Sequence, residues 1–122
     1  MGTLYIEQGL SEEAQNIHRA LASLIEELEA VDWYSQRAEL TPEENLKTIL
    51  IHNRNEEMEH AAMTLEWLRR SLPPLDQALG KYLFTTAPIR GIEAGKEPPD
   101  SVSSGGGDGA LGIGSLSKGG KA

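Results

Sequence analysis

The sequence contains no cysteine. Disulfide scaffolds, thiolate metal sites and cysteine nucleophiles are therefore excluded. Basic charge is short as well: 11 Lys and Arg stand against 19 Asp and Glu, a formal net charge of −8. Phosphate recognition needs clustered Lys and Arg, so no nucleic-acid partner is expected. No apolar run reaches the ~18 residues of a membrane span, and no basic-then-apolar signal pattern opens the chain, so no membrane partner is expected either. Glycine is scarce in residues 1–88, since ten of the thirteen glycines lie beyond Pro88. These absences point to an acidic, soluble, cytoplasmic protein with one small folded body.

That body is expected over residues 1–88, followed by a flexible linker over 89–110 and a terminal peptide. The linker's Ser101-Val102-Ser103-Ser104-Gly105-Gly106-Gly107-Asp108-Gly109-Ala110 has almost nothing to bury. A body this short buries a low fraction of its surface, so oligomerisation is the expected remedy.

What is present in the body reads as helix throughout. Ala14, Ile17, Leu21, Leu24, Leu28 and Val31 alternate spacings of three and four, a narrow apolar seam on a helix from about Ser11 to Ala38. In Thr41-Pro42-Glu43-Glu44, Thr41 fits an N-cap, Pro42 the first helical position and Glu44 a capping box. The second helix is expected to run to Arg70 and to stop before Pro73-Pro74. A short third helix follows, from Leu75 to about Phe84. The fold class is all-α: a two-helix antiparallel hairpin plus a short C-terminal helix, with a disordered tail. Two helices with apolar stripes cannot close a core alone, whereas two hairpins can form a four-helix bundle.

The second helix breaks its own pattern. Its seam runs Leu46, Leu50, Asn53, Glu57, His60, Thr64, Leu68, so Glu57 and His60 share the direction of the leucines. An unpaired buried carboxylate costs several kcal/mol, so something must compensate it. Glu57-Met58-Glu59-His60 has the Glu-x-x-His spacing, which lets both side chains reach one metal ion from neighbouring turns. On the first helix Glu27 lies on a stripe with Glu13, Ala20 and Tyr34 that flanks the seam, and it offers a third ligand. A di-metal carboxylate bundle takes one Glu from each of two helices and one Glu-x-x-His from each of two others. One hairpin supplies half of that set. A twofold dimer would supply Glu27, Glu57 and His60 twice and place two metals at its interface, completing the core and the site together. Mixed carboxylate and imidazole ligands suit iron or manganese, with zinc as a competitor.

At these residues the chain resembles a known family. Glu26-Glu27-Leu28-Glu29-Ala30-Val31-Asp32-Trp33-Tyr34, and the block from His52 through Glu56-Glu57-Met58-Glu59-His60 to Glu66-Trp67-Leu68-Arg69-Arg70, resemble the encapsulated ferritins, the ferritin-like cargo proteins of encapsulin nanocompartments. The resemblance spans about Ser11 to Pro88. It implies a hairpin that dimerises into a ferritin-like four-helix bundle, dimers arranged as a ring-shaped decamer, and a ferroxidase centre with two irons at the dimer interface. The ligands would be Glu27, Glu57 and His60, which are also the catalytic residues. Glu26 and Glu29 match metal-binding positions near the entrance, where a second divalent cation would bind. Trp33 and Tyr34 match an aromatic pair near the centre.

The tail agrees with the same family. Leu111-Gly112-Ile113-Gly114-Ser115-Leu116 looks like an encapsulin-targeting peptide, with 117–122 a terminal extension. Leu111 and Ile113 alternate on one side of an extended segment, and Leu116 adds a third anchor for the shell protein. The expectation is a ferroxidase that oxidises Fe(II) to Fe(III) with O₂ and supplies iron for storage inside an encapsulin shell. Its rivals are a metal-clasped cargo or assembly module without turnover, another di-metal oxidoreductase, and a plain helical interaction protein.

Overall fold

A computed structural model describes residues 6–95. Four helices account for most of them: α1 (Glu12–Leu40), α2 (Glu44–Ser71), α3 (Pro73–Tyr82) and α4 (Ile89–Glu93). No strand occurs among the described residues, and no helix there is long and apolar enough to cross a membrane. The all-α hairpin read from the seams is the observed one. Residues 111–116 and the rest of the segment beyond Gly95 lie outside the described residues.

Two compact units divide the chain, residues 1–75 and 76–122. The first contains the hairpin. Ser11 caps α1, its hydroxyl accepting from the Ala14 N–H at 3.1 Å, and Glu12 and Glu13 occupy the first turn, where the helix dipole favours acid. At roughly 1.5 Å per residue, α1 and α2 are each about 42 Å long, and they pack along one another. Only three residues, 41–43, connect them, which forces the antiparallel arrangement.

The connection corrects the expected cap. Thr41 does not start α2. It closes α1, with its N–H donating to the Arg37 carbonyl at 3.0 Å and its Oγ1 to the same carbonyl at 2.6 Å. A hydroxyl committed to the preceding helix cannot cap the next. Glu43 takes that role, its Oε1 accepting from the Leu46 N–H at 2.7 Å, so Pro42 lies just outside the helix. The Pro73-Pro74 pair also reads differently. It opens α3 instead of preceding it, because the first-turn N–H groups that proline lacks have no helical partner anyway. α3 ends at Tyr82, and Phe84 follows in the left-handed region (φ 62°).

In the second unit α4 occupies residues assigned to the linker. Arg90 Nε donates to Glu93 at 2.9 Å, and Ile92 is 2% exposed, so residues 89–93 of the expected linker carry a short helix. Among the described residues only Ala38, Ala61, Leu68 and Ile92 are buried apolar side chains. Leu21, Ile25 and Leu28 on α1, and Leu46, Ile49, Met58, Met63 and Trp67 on α2, are each more than 40% exposed. One chain thus leaves many large apolar side chains open, with Leu21, Leu28 and Leu46 of the seams among them.

Candidate metal centre

Glu57 and His60 sit one turn apart on α2, as their spacing requires. His60 Nδ1 lies 3.7 Å from Glu57 Oε1, an ion-pair distance rather than a hydrogen bond. A second carboxylate, not singled out from the sequence, approaches the other nitrogen: Glu56 Oε1 is 4.0 Å from His60 Nε2. The i,i+4 spacing of Glu56 and His60 is the signal that would have found it. In the single chain the Glu57 side chain is 27% exposed and that of His60 44%. Both side chains are therefore partly open to solvent, on a seam that also carries the buried Leu68.

Glu27 projects from α1 beside a shallow groove of about 420 Å³ that Arg19, Ser23, Met63, Thr64 and Trp67 also line. Its Oε1 is buried and has no hydrogen-bond partner among the described residues. Buried carboxylate oxygens are normally satisfied, and leaving one bare costs free energy unless a cation or donor reaches it. The neighbouring hydroxyl does not help, because Thr64 Oγ1 donates to the His60 carbonyl at 3.2 Å. Glu27 therefore has the chemistry of a ligand awaiting a positive partner. Two carboxylates and an imidazole form a donor set that suits iron, so these residues fit the metal.

Among the described residues of one chain, no group of three or more acidic or imidazole side chains is close enough to hold a metal. Glu26 is exposed and Glu29 half-buried on α1. Trp33 is 47% exposed, Tyr34 is half-buried, and the Arg37 guanidinium lies 5.9 Å from both ring centroids, a cation–π bracket over the aromatic pair.

The strongest ion-pair cluster lies farther along α2. Glu66 accepts from Arg69 through both oxygens, at 2.8 and 2.7 Å, and from Arg70 Nε at 2.7 Å. The hydrogen bonds from Arg69, with Arg70 adding to them, hold the Glu66 carboxyl at about 2, well below the usual range.

Comparison with known proteins places this geometry in context. The family described as EncFtn-like matches residues 3–86. An encapsulated ferritin-like protein of Rhodospirillum rubrum is 53% identical over 114 residues, covering 88% of this chain and 81% of that protein. A ferritin-like protein of Thermotoga maritima is 63% identical over 75 residues, covering 62% of this chain and 66% of that protein. A solved protein of Nitrosomonas europaea superposes with a TM-score of 0.68 at 54% identity, covering 73% of this chain and 98% of its own. With two-thirds of its length matched and the hairpin superposing, the chain belongs to the EncFtn-like family of encapsulated ferritin-like proteins.

Proposed function

We propose that two copies of the chain join through the open face of the hairpin into a four-helix bundle, and that the joined pair is a ferroxidase. The observation that carries this reading is the buried, unpartnered oxygen of Glu27, on the helix that packs against the one bearing Glu57 and His60. The similarity to encapsulated ferritin-like proteins supports iron as the metal. Each chain brings two carboxylates and one imidazole, and a twofold pair brings six ligands, enough for two irons.

Fe(II) is the substrate and O₂ the electron acceptor. Each Fe(II) gives up one electron, and four of them with four protons reduce one O₂ to two waters. Glu27 and Glu57 bind the metal through anionic oxygens, and either can bridge two ions. His60 supplies a neutral nitrogen donor. Anionic oxygen donors favour Fe(III) over Fe(II), which gives the oxidation its direction. Glu26 and Glu29, on the same helix as Glu27, would attract a second divalent cation on the way in, an effect that added salt weakens. A two-helix body encloses no mineral cavity. Storage then falls to the lumen of an encapsulin shell in the cytoplasm, reached through Leu111–Leu116, with dimers assembled into a ring-shaped decamer.

The test is stopped-flow Fe(II) oxidation by the full chain against a Glu27→Ala, Glu57→Ala, His60→Ala variant, with particle mass measured in parallel. Oxidation well above background by the wild type, lost in a variant of unchanged mass, is expected. Background rates for both, with metal still bound to the wild type, would reduce the metal to a clasp between subunits.

A further inference from the structure

His60 is flanked by two carboxylates of its own helix, and the proposed function uses one of them. Glu57 Oε1 stands 3.7 Å from Nδ1 and Glu56 Oε1 4.0 Å from Nε2, so each ring nitrogen faces a different carboxylate. Their spacing accounts for this. At about 100° per residue, Glu57 lies about 60° to one side of His60 on α2 and Glu56 about 40° to the other. The two sides are not equivalent. Ala61 and Leu68, 7% and 1% exposed, lie on the Glu57 side, where α2 packs against α1, the helix that carries Glu27. The Glu56 side chain is 50% exposed, against 27% for Glu57.

We propose that Glu56 is a positioning residue: its carboxylate takes the Nε2–H of His60 and leaves the Nδ1 lone pair, on the side of Glu57, to bind the metal. A neutral imidazole carries one N–H, and the nitrogen that holds it cannot bind a metal. Glu57 alone would draw that proton to Nδ1, the tautomer that blocks the site. Glu56 opposes it from the other nitrogen, and the 4.0 Å gap closes by side-chain torsion because both groups reach solvent. Thr64 does not compete, since its Oγ1 donates to the His60 backbone carbonyl and not to the ring. Metal-binding histidines generally donate their second N–H to a carboxylate or carbonyl, which fixes the ring and raises its basicity. The inference rests on the reading of Glu27, Glu57 and His60 as ligands. It adds which nitrogen binds and what holds the ring.

Glu56→Ala and Glu56→Gln in the full-length chain test it, at one fixed protein concentration, with far-UV circular dichroism confirming the fold. Zn(II), which has no redox chemistry, is the probe, and calorimetry reads its binding. Glu56→Ala should weaken zinc binding about 10–100-fold at unchanged stoichiometry. Glu56→Gln keeps an acceptor oxygen without the charge and should recover most of that loss. Nitrogen NMR of the metal-free, histidine-labelled chain at mildly alkaline pH reads the tautomer, with the His60→Ala spectrum identifying the signals. Wild type and Glu56→Gln should hold the proton on Nε2, and Glu56→Ala should move it toward Nδ1.

A fall in zinc stoichiometry would make Glu56 a ligand and overturn the proposal. Equal weakening in both variants would make it a bare charge, and a tautomer unchanged in Glu56→Ala would leave it no hold on the ring; either result overturns the proposal too. The tautomer is read without metal or turnover. A wild type that oxidises no iron therefore sinks the ferroxidase reading alone, while the ring decides this one.

Discussion

Replacing Glu27 by methionine should stabilise the metal-free protein while abolishing its iron chemistry. Methionine has nearly the volume of glutamate and no polar oxygen to strand. The wild-type Oε1 is buried without a partner, and an unsatisfied buried acceptor costs about 1–3 kcal/mol. Glu27 as a whole is only half-buried, so the lower part of that range applies, and the apolar replacement adds a little burial of its own. A gain of about 1–2 kcal/mol corresponds to a rise in Tm of roughly 5–10 °C for a folded body of this size. The assay is thermal unfolding in chelator at one fixed protein concentration, since an oligomer's Tm depends on concentration. With Fe(II) added the order should reverse: the wild type gains Tm from bound metal and the variant does not, and its oxidation rate falls to background. A metal-free variant that melts at or below the wild type would refute the reasoning, because Glu27 would then be stabilising the fold and not straining it.

Other perturbations test the scaffold. Leu68, 1% exposed on α2, should cost about 2–4 kcal/mol on truncation to alanine, read by urea unfolding with an unchanged slope. Ser11→Ala removes the cap on Ala14 and should cost about 1 kcal/mol, with hydrogen exchange rising first in the opening turn of α1. Glu66 has its folded pKa depressed to about 2, so its contribution is complete above its ordinary value near 4.5 and is lost as pH falls toward 2. Since 41% of the side chain is exposed, that contribution is no more than about 1 kcal/mol. Glu66→Gln should flatten the acid side of the stability–pH curve below pH 4.5 and leave neutral pH nearly unchanged in slope.

The hairpin was legible because helical periodicity is a local property. Apolar spacing of three and four along Ala14 to Val31 needs no partner to be read, and a three-residue connection permits one geometry. Caps were harder because one residue can serve either of two helices. Thr41 stands between both, and only the structure shows its hydroxyl turned back to Arg37. The prolines at 73 and 74 are compatible with a stop and with a start, and the chain uses them as a start. α4 was hidden because it has only five residues, one of them a glycine, and stands between Pro88 and the Gly95-to-Pro99 stretch, with Ile89 and Ile92 too few to show a period. At the site, the Glu57–His60 pairing followed from spacing. The approach of Glu56 to His60 and the stranded oxygen of Glu27 depend on side-chain directions that no periodicity specifies.

The three-residue link between α1 and α2 has a kinetic consequence. Nearly every contact of the hairpin is closed by that short turn, and chains dominated by such contacts fold in microseconds to milliseconds. Pairing of two hairpins is instead bimolecular, limited by encounter at about 10⁵–10⁷ M⁻¹s⁻¹. On the proposed reading each complete site draws ligands from two chains, so in a dilute population the number of sites would grow with the square of the chain concentration. On that reading, dilution would disarm such a protein, and crowding many copies into a small volume would switch it on.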